Sequence, residues 1–121
     1  MKLCITSQGD NLESQIDTRF GRTQYFIIAD SETLEFEAVK NENIDGMGGV
    51  GVQSGQLMSD KEIKVVLTGN VGPNAFKTLE AAKVEIITGI TGTVKEVIEK
   101  YKTGELKPVD KPSVDSNFGK K

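Results

Sequence analysis

Three glycine-bearing segments are the part of this sequence whose composition and spacing best suit ligand binding. They are residues 46–51, 69–72 and 89–92. The pattern Thr-Gly-x-x-Gly begins at Thr68 and again at Thr88, each time after a β-branched run and before a helical pattern. Backbone N–H groups at such turns bind anions at the carboxyl edge of parallel strands. The sequence therefore predicts an anion-binding cradle of backbone amides, unless glycine serves only the tight turns.

Residues 46–51 read Gly-Met-Gly-Gly-Val-Gly, which matches the dinucleotide-binding pattern G-x-G-x-x-G. That fingerprint requires a tight turn after the first strand of a βαβ unit and an acidic residue about 20 positions later. Here the loop is long, and the corresponding later position is Val71, among Gly, Asn and Pro. Dinucleotide binding is therefore not expected.

Arg19 and Arg22 could supply positive charge to the same ligand. They lie in the run Asp-Thr-Arg-Phe-Gly-Arg at residues 17–22. A guanidinium group binds carboxylate or phosphate oxygens in a bidentate manner. The alternative is that Asp17 pairs locally with Arg19 or Arg22 on the surface, a contact that adds little stability. The sequence leaves both interpretations open.

The chain has 121 residues, no histidine and one cysteine, and its 15 basic and 18 acidic residues give a net charge of −3. Without histidine, Ser-His-Asp and Cys-His catalysis and His-containing zinc sites are excluded. Cys4 lies inside the first predicted strand, where a cysteine is usually a small, inert buried residue; the alternatives are a soft metal ligand or a redox thiol. An internal disulfide is excluded.

The same numbers limit the kind of partner and the number of domains. Mild acidity argues against a nucleic-acid surface, which normally has a basic excess. No apolar run approaches the roughly 18 residues of a membrane span, and the first residues do not resemble a signal peptide. We therefore expect one domain without nucleic-acid or membrane partners, in the cytoplasm.

The elements that must position these residues follow from hydrophobic periodicity and turn signals. The first half predicts a short strand and an antiparallel hairpin, and the second half predicts parallel βα units with right-handed crossovers. Strands are predicted at residues 2–6, 25–29, 34–40, 63–67 and 84–87, and helices at 52–60, from 73 to about 83, and after Thr93. The domain is predicted to cover residues 1–104, and residues 105–121 are predicted to be a flexible polar tail.

This order of elements is compatible with a ribonuclease-H-type nuclease. Two-metal phosphoryl chemistry requires carboxylates on the strands that form the site. The predicted strands at residues 2–6 and 63–67 contain none. Nuclease activity is therefore not expected.

Several motifs occur together and in one order along the chain. They are Ser-Gln-Gly-Asp-Asn-Leu at residues 7–12, Asp-x-Arg-Phe-Gly-Arg at 17–22 before Tyr25 and Phe26, the glycine-rich loop, and Thr-Gly-Asn-Val-Gly-Pro-Asn-Ala at 68–75. In this order they resemble the dinitrogenase iron-molybdenum cofactor biosynthesis family, which includes NifX-like and NafY-like proteins and the C-terminal domain type of NifB. The resemblance covers about residues 1–104.

The resemblance implies an α/β, ribonuclease-H-like mixed sheet of about five strands without the nuclease carboxylates. It also implies a protein that carries or stores an iron-sulfur or iron-molybdenum-type cluster or its precursor. Family members linked to nitrogenase hold cluster metal partly through His or Cys, so a direct metal bond in this chain would depend on Cys4 or on oxygen ligands. The expected cofactor-binding residues are Ser7, Arg19, Phe20, Gly21, Arg22, Gly46, Gly48, Gly49, Gly51, Gly69, Asn70, Gly72 and Asn74.

The first functional hypothesis is therefore a non-enzymatic carrier of such a cluster, with a small anionic cofactor and a cluster donor or acceptor protein as partners. The alternative is a binding or regulatory module for another small anion or nucleotide, with the cluster role lost. A third hypothesis is a hydrolase on the same scaffold. It would require Asp10, Asp17 and Asp45 to converge, because shared metal chemistry needs metal ions about 4 Å apart.

Overall fold

Five strands form one mixed sheet in the order β3-β2-β1-β4-β5. The computed structural model describes residues 1–41 and 56–109. The strands are β1 (Lys2–Ser7), β2 (Tyr25–Asp30), β3 (Phe36–Lys40), β4 (Val65–Leu67) and β5 (Glu85–Ile87). The helices are α1 (Pro73–Ala81) and α2 (Val94–Lys102), and residues 56–60 are also helical.

The pairing confirms the predicted division into an antiparallel half and a parallel half. β2 is antiparallel to both β1 and β3, whereas β4 is parallel to both β1 and β5. β1 is the central strand, and its residues 3–7 are all buried. Both faces of this strand are covered, so its apolar residues Leu3, Cys4 and Ile5 are consecutive, and its last two buried residues, Thr6 and Ser7, are polar.

Alternate residues of the strands build two separate cores. Cys4 and Val66 face one core, to which α1 contributes Phe76 and Leu79. Leu3, Ile5, Val65 and Leu67 face the other core, to which α2 contributes Val94, Val97 and Ile98. Successive strand residues point to opposite faces, so one strand supplies both cores.

Three boundaries differ from the predicted ones by two residues, each beside a residue with positive φ that ends the local pattern. Leu34 has φ 64° and its N–H donates to the Asp30 carbonyl, so β3 begins only at Phe36. Glu62 has φ 58°, and β4 begins at Val65. Lys83 has φ 61°, and α1 ends at Ala81.

The predicted helix at residues 52–60 is helical over 56–60, and the other four positions lie outside the described residues.

Residues beyond the predicted domain end at 104 still contact the body of the protein. Leu106 packs against the α2-side core and Val109 against the α1-side core, and both are half-buried. The Val109 N–H donates to the Ile86 carbonyl at 2.8 Å. The described structure therefore includes residues 105–109, and the rest of the predicted tail lies outside the described residues.

Within residues 1–41 and 56–109, no helix is both long enough and apolar enough to cross a membrane.

Candidate functional site

The carboxyl ends of β1 and β4 lie side by side, and two of the predicted ligand-binding segments, residues 17–22 and 69–72, meet there. The loop after β1 forms isolated bridges with its neighbours, between Ser7 and Ile16, between Arg19 and Asn70, and between Gln15 and Thr93. The segment around Arg19 therefore lies against the turn that follows β4. The structure brings two of the predicted motifs, residues 17–22 and 68–75, to the same edge of the sheet.

A close backbone contact joins these two motifs. The Asn70 N–H donates to the Thr18 carbonyl at 2.7 Å, and the Phe20 N–H donates to the Asn70 carbonyl at 3.3 Å. At Gly69, a Cβ atom would lie 2.6 Å from the Thr18 Cα atom, closer than real Cβ contacts allow. Glycine is required at position 69 because two backbones approach each other there.

Asp17 is a buried carboxylate that holds Arg19. The residue is 2% exposed. Its Oδ1 atom accepts from the Arg19 N–H at 3.0 Å and from Nε at 3.2 Å, and Oδ2 accepts from Nη2 at 3.3 Å and from the Gln24 N–H at 3.3 Å. These donors compensate the buried charge. The local pairing of Asp17 with Arg19, one of the two interpretations of this motif, is therefore present.

Arg19 remains accessible to solvent despite this pairing. Its side chain is 51% exposed, whereas the side chain of Asp17 is 3% exposed. The guanidinium is held on one side by the carboxylate, so its orientation relative to the Asn70 turn is restrained. A pre-oriented cation loses less entropy when it binds an anion.

Buried hydroxyl groups form hydrogen bonds at the same edge of the sheet, and they were not among the predicted site residues. The Thr6 Oγ1 atom donates to the Asp17 carbonyl at 2.6 Å and is hydrogen bonded to the Thr68 Oγ1 atom at 2.8 Å. The Thr23 Oγ1 atom accepts from the Ser7 N–H at 3.1 Å. All of these residues are fully buried. The available signal was their position at or beside strand ends, where a buried threonine needs a polar partner.

Asn41, which follows β3, holds the loop from the other side. Its Nδ2 atom donates to the Gly21 carbonyl at 3.1 Å and to the Thr23 carbonyl at 2.9 Å. Asn41 is 4% exposed, and its own N–H donates to the Gln24 carbonyl. Residues 17–24 are thus an ordered loop, fixed by β1, by the turn after β4 and by the end of β3.

The two described helices begin differently. Gly72 is the N-cap of α1, with no side-chain cap hydrogen bond, Pro73 in the first turn and no acidic residue there. Thr93 is the N-cap of α2, where its side chain accepts from the Glu96 N–H and the Glu96 side chain accepts from the Thr93 N–H. These hydrogen bonds lower the pKa of Glu96. A carboxylate therefore already occupies the α2 start, whereas α1 has none at its N-cap or in its own first turn.

The remaining predicted site residues take several positions. Phe20 is 2% exposed and packs edge-on against Phe26 with 5.8 Å between ring centroids, so its ring belongs to the core. The Ser7 Oγ atom donates to the Gly9 carbonyl at 2.8 Å. Arg22 and Asn74 are exposed, and Gly46, Gly48, Gly49 and Gly51 lie outside the described residues.

Cys4 is fully buried in the α1-side core. Burial raises the pKa of its thiol, because the thiolate would lose its hydration. Among the described residues, no group of three or more Cys, Asp or Glu side chains is placed to hold a metal ion. Asp45 lies outside the described residues.

Known proteins share this fold. The apo form of the orange protein from Desulfovibrio gigas matches it with a TM-score of 0.91 and 29% identity, over 93% of this chain and 96% of that chain. A candidate NifB protein from Thermotoga matches with a TM-score of 0.79 and 35% identity, over 93% of this chain and 98% of that chain.

An uncharacterised protein of Methanocaldococcus jannaschii is 26% identical over 96 residues, which are 77% of this chain and 81% of that protein. A family model described as dinitrogenase iron-molybdenum cofactor matches residues 1–104. The ordered motifs at residues 7–12, 17–22 and 68–75 all lie inside this match. The chain belongs to the dinitrogenase iron-molybdenum cofactor family.

Proposed function

We propose that this protein is a non-enzymatic carrier that binds an anionic iron-sulfur or iron-molybdenum-type cluster, or its precursor, at the carboxyl edge of β1 and β4. The observation that carries the proposal is the half-exposed Arg19 guanidinium, held by buried Asp17 beside the turn that leads into the uncapped start of α1. The family match and the similarity to a protein solved in an apo form support it.

Charge and hydrogen bonding would hold the cluster in this site. The first-turn amides of α1 and the Arg19 guanidinium are donors suited to the sulfide and oxygen atoms of an anionic cluster. The sequence has no histidine, and the thiol of Cys4 is buried. A cluster held without protein-to-metal bonds can leave intact, as transfer to an acceptor requires.

The carrier role assigns no bond-breaking step to the protein. The Asp17 carboxylate is already used by Arg19 and by the Gln24 N–H, so it serves to orient a cation. The partners of such a carrier are proteins that donate or accept the cluster in the cytoplasm.

Anaerobic reconstitution tests the proposal. The protein is incubated with iron, sulfide and molybdate, desalted, and analysed for metal and sulfide per chain. Gly72→Asp is expected to lose most of the bound metal, because the new carboxylate would accept the first-turn N–H groups of α1 and repel an anion. Thr93→Asp is the matched control, since it adds the same charge at a helix start that already has a cap.

A second pair of variants separates the arginine from general charge effects. Arg19→Gln is expected to weaken retention, whereas Lys61→Gln is expected to leave it unchanged. Lys61 also forms an exposed ion pair, with Glu37 at 3.2 Å, but it precedes β4 and so lies at the opposite end of that strand. Equal retention by all four variants and the wild type would contradict the proposed site. A metal-free phosphorylated ligand, found by native mass spectrometry of the purified protein, would instead favour the anion or nucleotide module.

A further inference from the structure

We propose that the protein forms a weak homodimer in which the β3 strands of two copies pair antiparallel, centred on Ala38, to give a continuous ten-stranded sheet. β3 is an edge strand of the five-stranded sheet. Four of its five residues are exposed and Val39 is half-buried. Phe36 is 42% exposed and, with Met1 and Leu34, is one of the exposed large hydrophobic residues in the described part of the chain.

The hydrogen-bonding pattern of β3 shows which backbone groups face outward. The Asn41 N–H donates to the Gln24 carbonyl, and the Glu35 carbonyl accepts from the Asp30 N–H. Residues of an antiparallel strand alternate between inward and outward hydrogen-bonding groups. Residues 37 and 39 therefore direct their N–H and carbonyl groups toward β2. The corresponding groups of Phe36, Ala38 and Lys40 point away from the sheet.

At the other edge of the sheet, a further segment of the chain is hydrogen bonded to the edge strand. β5 is the opposite edge strand, and the segment that ends at Val109 lies beside it, with the Val109 N–H bonded to the Ile86 carbonyl. Among the described residues, none forms a corresponding backbone hydrogen bond to the outer side of β3. An uncovered edge strand without proline is a template for pairing with another strand.

A second copy of this chain fits that edge in one register. When the two-fold axis passes through Ala38, Phe36 lies opposite Lys40 of the other copy and Ala38 lies opposite itself. All three outward-facing residues are then in hydrogen-bonded pairs. The stem of Lys40 packs on the exposed Phe36 ring, and its ammonium group is available for a cation–π contact. Glu37 lies opposite Val39, so no like charges are directly opposed.

The neighbouring registers are less favourable. Centring the axis on Glu37 places two glutamates directly opposite each other, which is less favourable than the Glu37–Val39 pairs even though each Glu37 also pairs with Lys61. Centring it on Val39 leaves the outward groups of Phe36 without a partner inside β3. The charged residues on this edge therefore select one register.

The size of the contact limits the affinity of the dimer. A contact between two five-residue strands is smaller than the roughly 1,200–2,000 Å² of stable complexes, so we expect a dissociation constant of about 10 µM to 1 mM.

The direction of β3 decides where the two candidate sites lie in the dimer. β3 runs parallel to β1, because both are antiparallel to β2. The two-fold axis therefore places the two carboxyl edges at opposite ends of the ten-stranded sheet. Both candidate sites stay open, so dimerisation and cluster binding are separable.

Sedimentation velocity over a concentration series is the first test. The wild type is expected to shift from monomer to dimer as concentration rises through about 10 µM to 1 mM. Ala38→Lys places two ammonium groups at the axis and should weaken association at least about tenfold. Ala81→Lys, a matched change at an exposed position at the end of α1, should leave it unchanged. Thermal unfolding verifies that both variants are folded.

Disulfide trapping tests the register. In a hydrogen-bonded antiparallel pair the Cα atoms are about 5.5 Å apart, within disulfide range. Ala38→Cys should therefore cross-link quickly under mild oxidation, since the native Cys4 is buried. In the same register, the two Glu37→Cys residues would be about 8 Å apart and should cross-link slowly. Ala81→Cys measures the collisional background. A monomer at every concentration, or cross-linking through Glu37→Cys or Ala81→Cys as fast as through Ala38→Cys, would overturn the proposal.

Discussion

At the scale of single residues, glycine has different roles at positions that look alike in sequence. Gly69 lies where the Thr18 backbone approaches β4, and a Cβ atom there would be 2.6 Å from the Thr18 Cα atom. Gly72 has φ −85°, and apart from its chain neighbours no heavy atom of the described residues lies within 4 Å of the position that a Cβ would take. Gly69 is therefore a packing requirement, and Gly72 keeps the start of α1 open.

We expect Gly69→Ala to lower the free energy of unfolding by about 1–3 kcal/mol, because the Thr18 backbone would have to move away from β4. Gly72→Ala should change it by less than about 1 kcal/mol. Urea unfolding of both variants at neutral pH measures the difference. Equal stability of the two variants would mean that the 17–22 segment does not lie against Gly69.

At the scale of elements, the two helices differ in whether the N-cap residue provides a side-chain acceptor for the first-turn N–H groups. In α2 the Thr93 side chain and the Glu96 carboxylate satisfy each other's backbone N–H groups. In α1 the N-cap residue is Gly72, which has no side chain to do so, and Pro73 favours the helical φ in the first turn. At the same sheet edge, the cap therefore stabilises the start of α2, whereas the start of α1 has no side-chain cap from its N-cap residue.

We expect Thr93→Ala to lower the free energy of unfolding by about 1 kcal/mol at neutral pH, because the Glu96 N–H loses its acceptor. Chemical denaturation measures the change. An unchanged free energy of unfolding in Thr93→Ala would show that water satisfies the Glu96 N–H as well as the threonine side chain does. The same measurement on Lys95→Ala, an exposed change in the first turn of α2, provides the control.

The pH dependence of this cap has a definite sign. The pKa of Glu96 is lowered by its hydrogen bonds to Thr93, so its contribution is present above the unfolded value of about 4.3. That contribution is lost as pH falls through the lower folded-state pKa. Glu96→Gln keeps an acceptor for the Thr93 N–H but removes the titration. The stability difference between wild type and Glu96→Gln should therefore shrink between pH 7 and pH 3, and a constant difference would contradict this account.

At the scale of the whole molecule, the two edges of the sheet differ. The segment ending at Val109 lies on the β5 edge, whereas β3 is exposed. Because Leu106 and Val109 pack on opposite cores, this segment links the two layers of the protein.

We expect Val109→Pro to lower the free energy of unfolding by about 0.5–1.5 kcal/mol, because proline cannot donate to the Ile86 carbonyl. Lys107→Pro is the matched control, since Lys107 is exposed. Thermal unfolding compares the two. If Val109→Pro is no less stable than Lys107→Pro, the bond on the β5 edge contributes nothing to folding.

Much of the fold could be predicted because its signals are local. The nearly continuous apolar run at residues 63–67 and the apolar run at residues 25–29 predict buried strands, and Pro73 and the Thr93 cap mark helix starts. The misplaced boundaries lie at Leu34, Glu62 and Lys83, which adopt positive φ although none is glycine. Turn chemistry predicts glycine or asparagine at such positions, so these boundaries could not be located from the sequence.

The amino-acid sequence alone sets the residue types available to the site: no histidine, one thiol, two arginines at 19 and 22, and glycines in a fixed order. It also determined the family, through the order of its motifs. The folded structure shows that Asp17 is buried and orients Arg19, that Thr18 packs on Gly69, and that the Cys4 thiol is enclosed. The Asp17–Arg19 pair is local, but burial and the close contact of Thr18 with Gly69 require segments far apart in the sequence to meet. Local periodicity carries no information about such contacts.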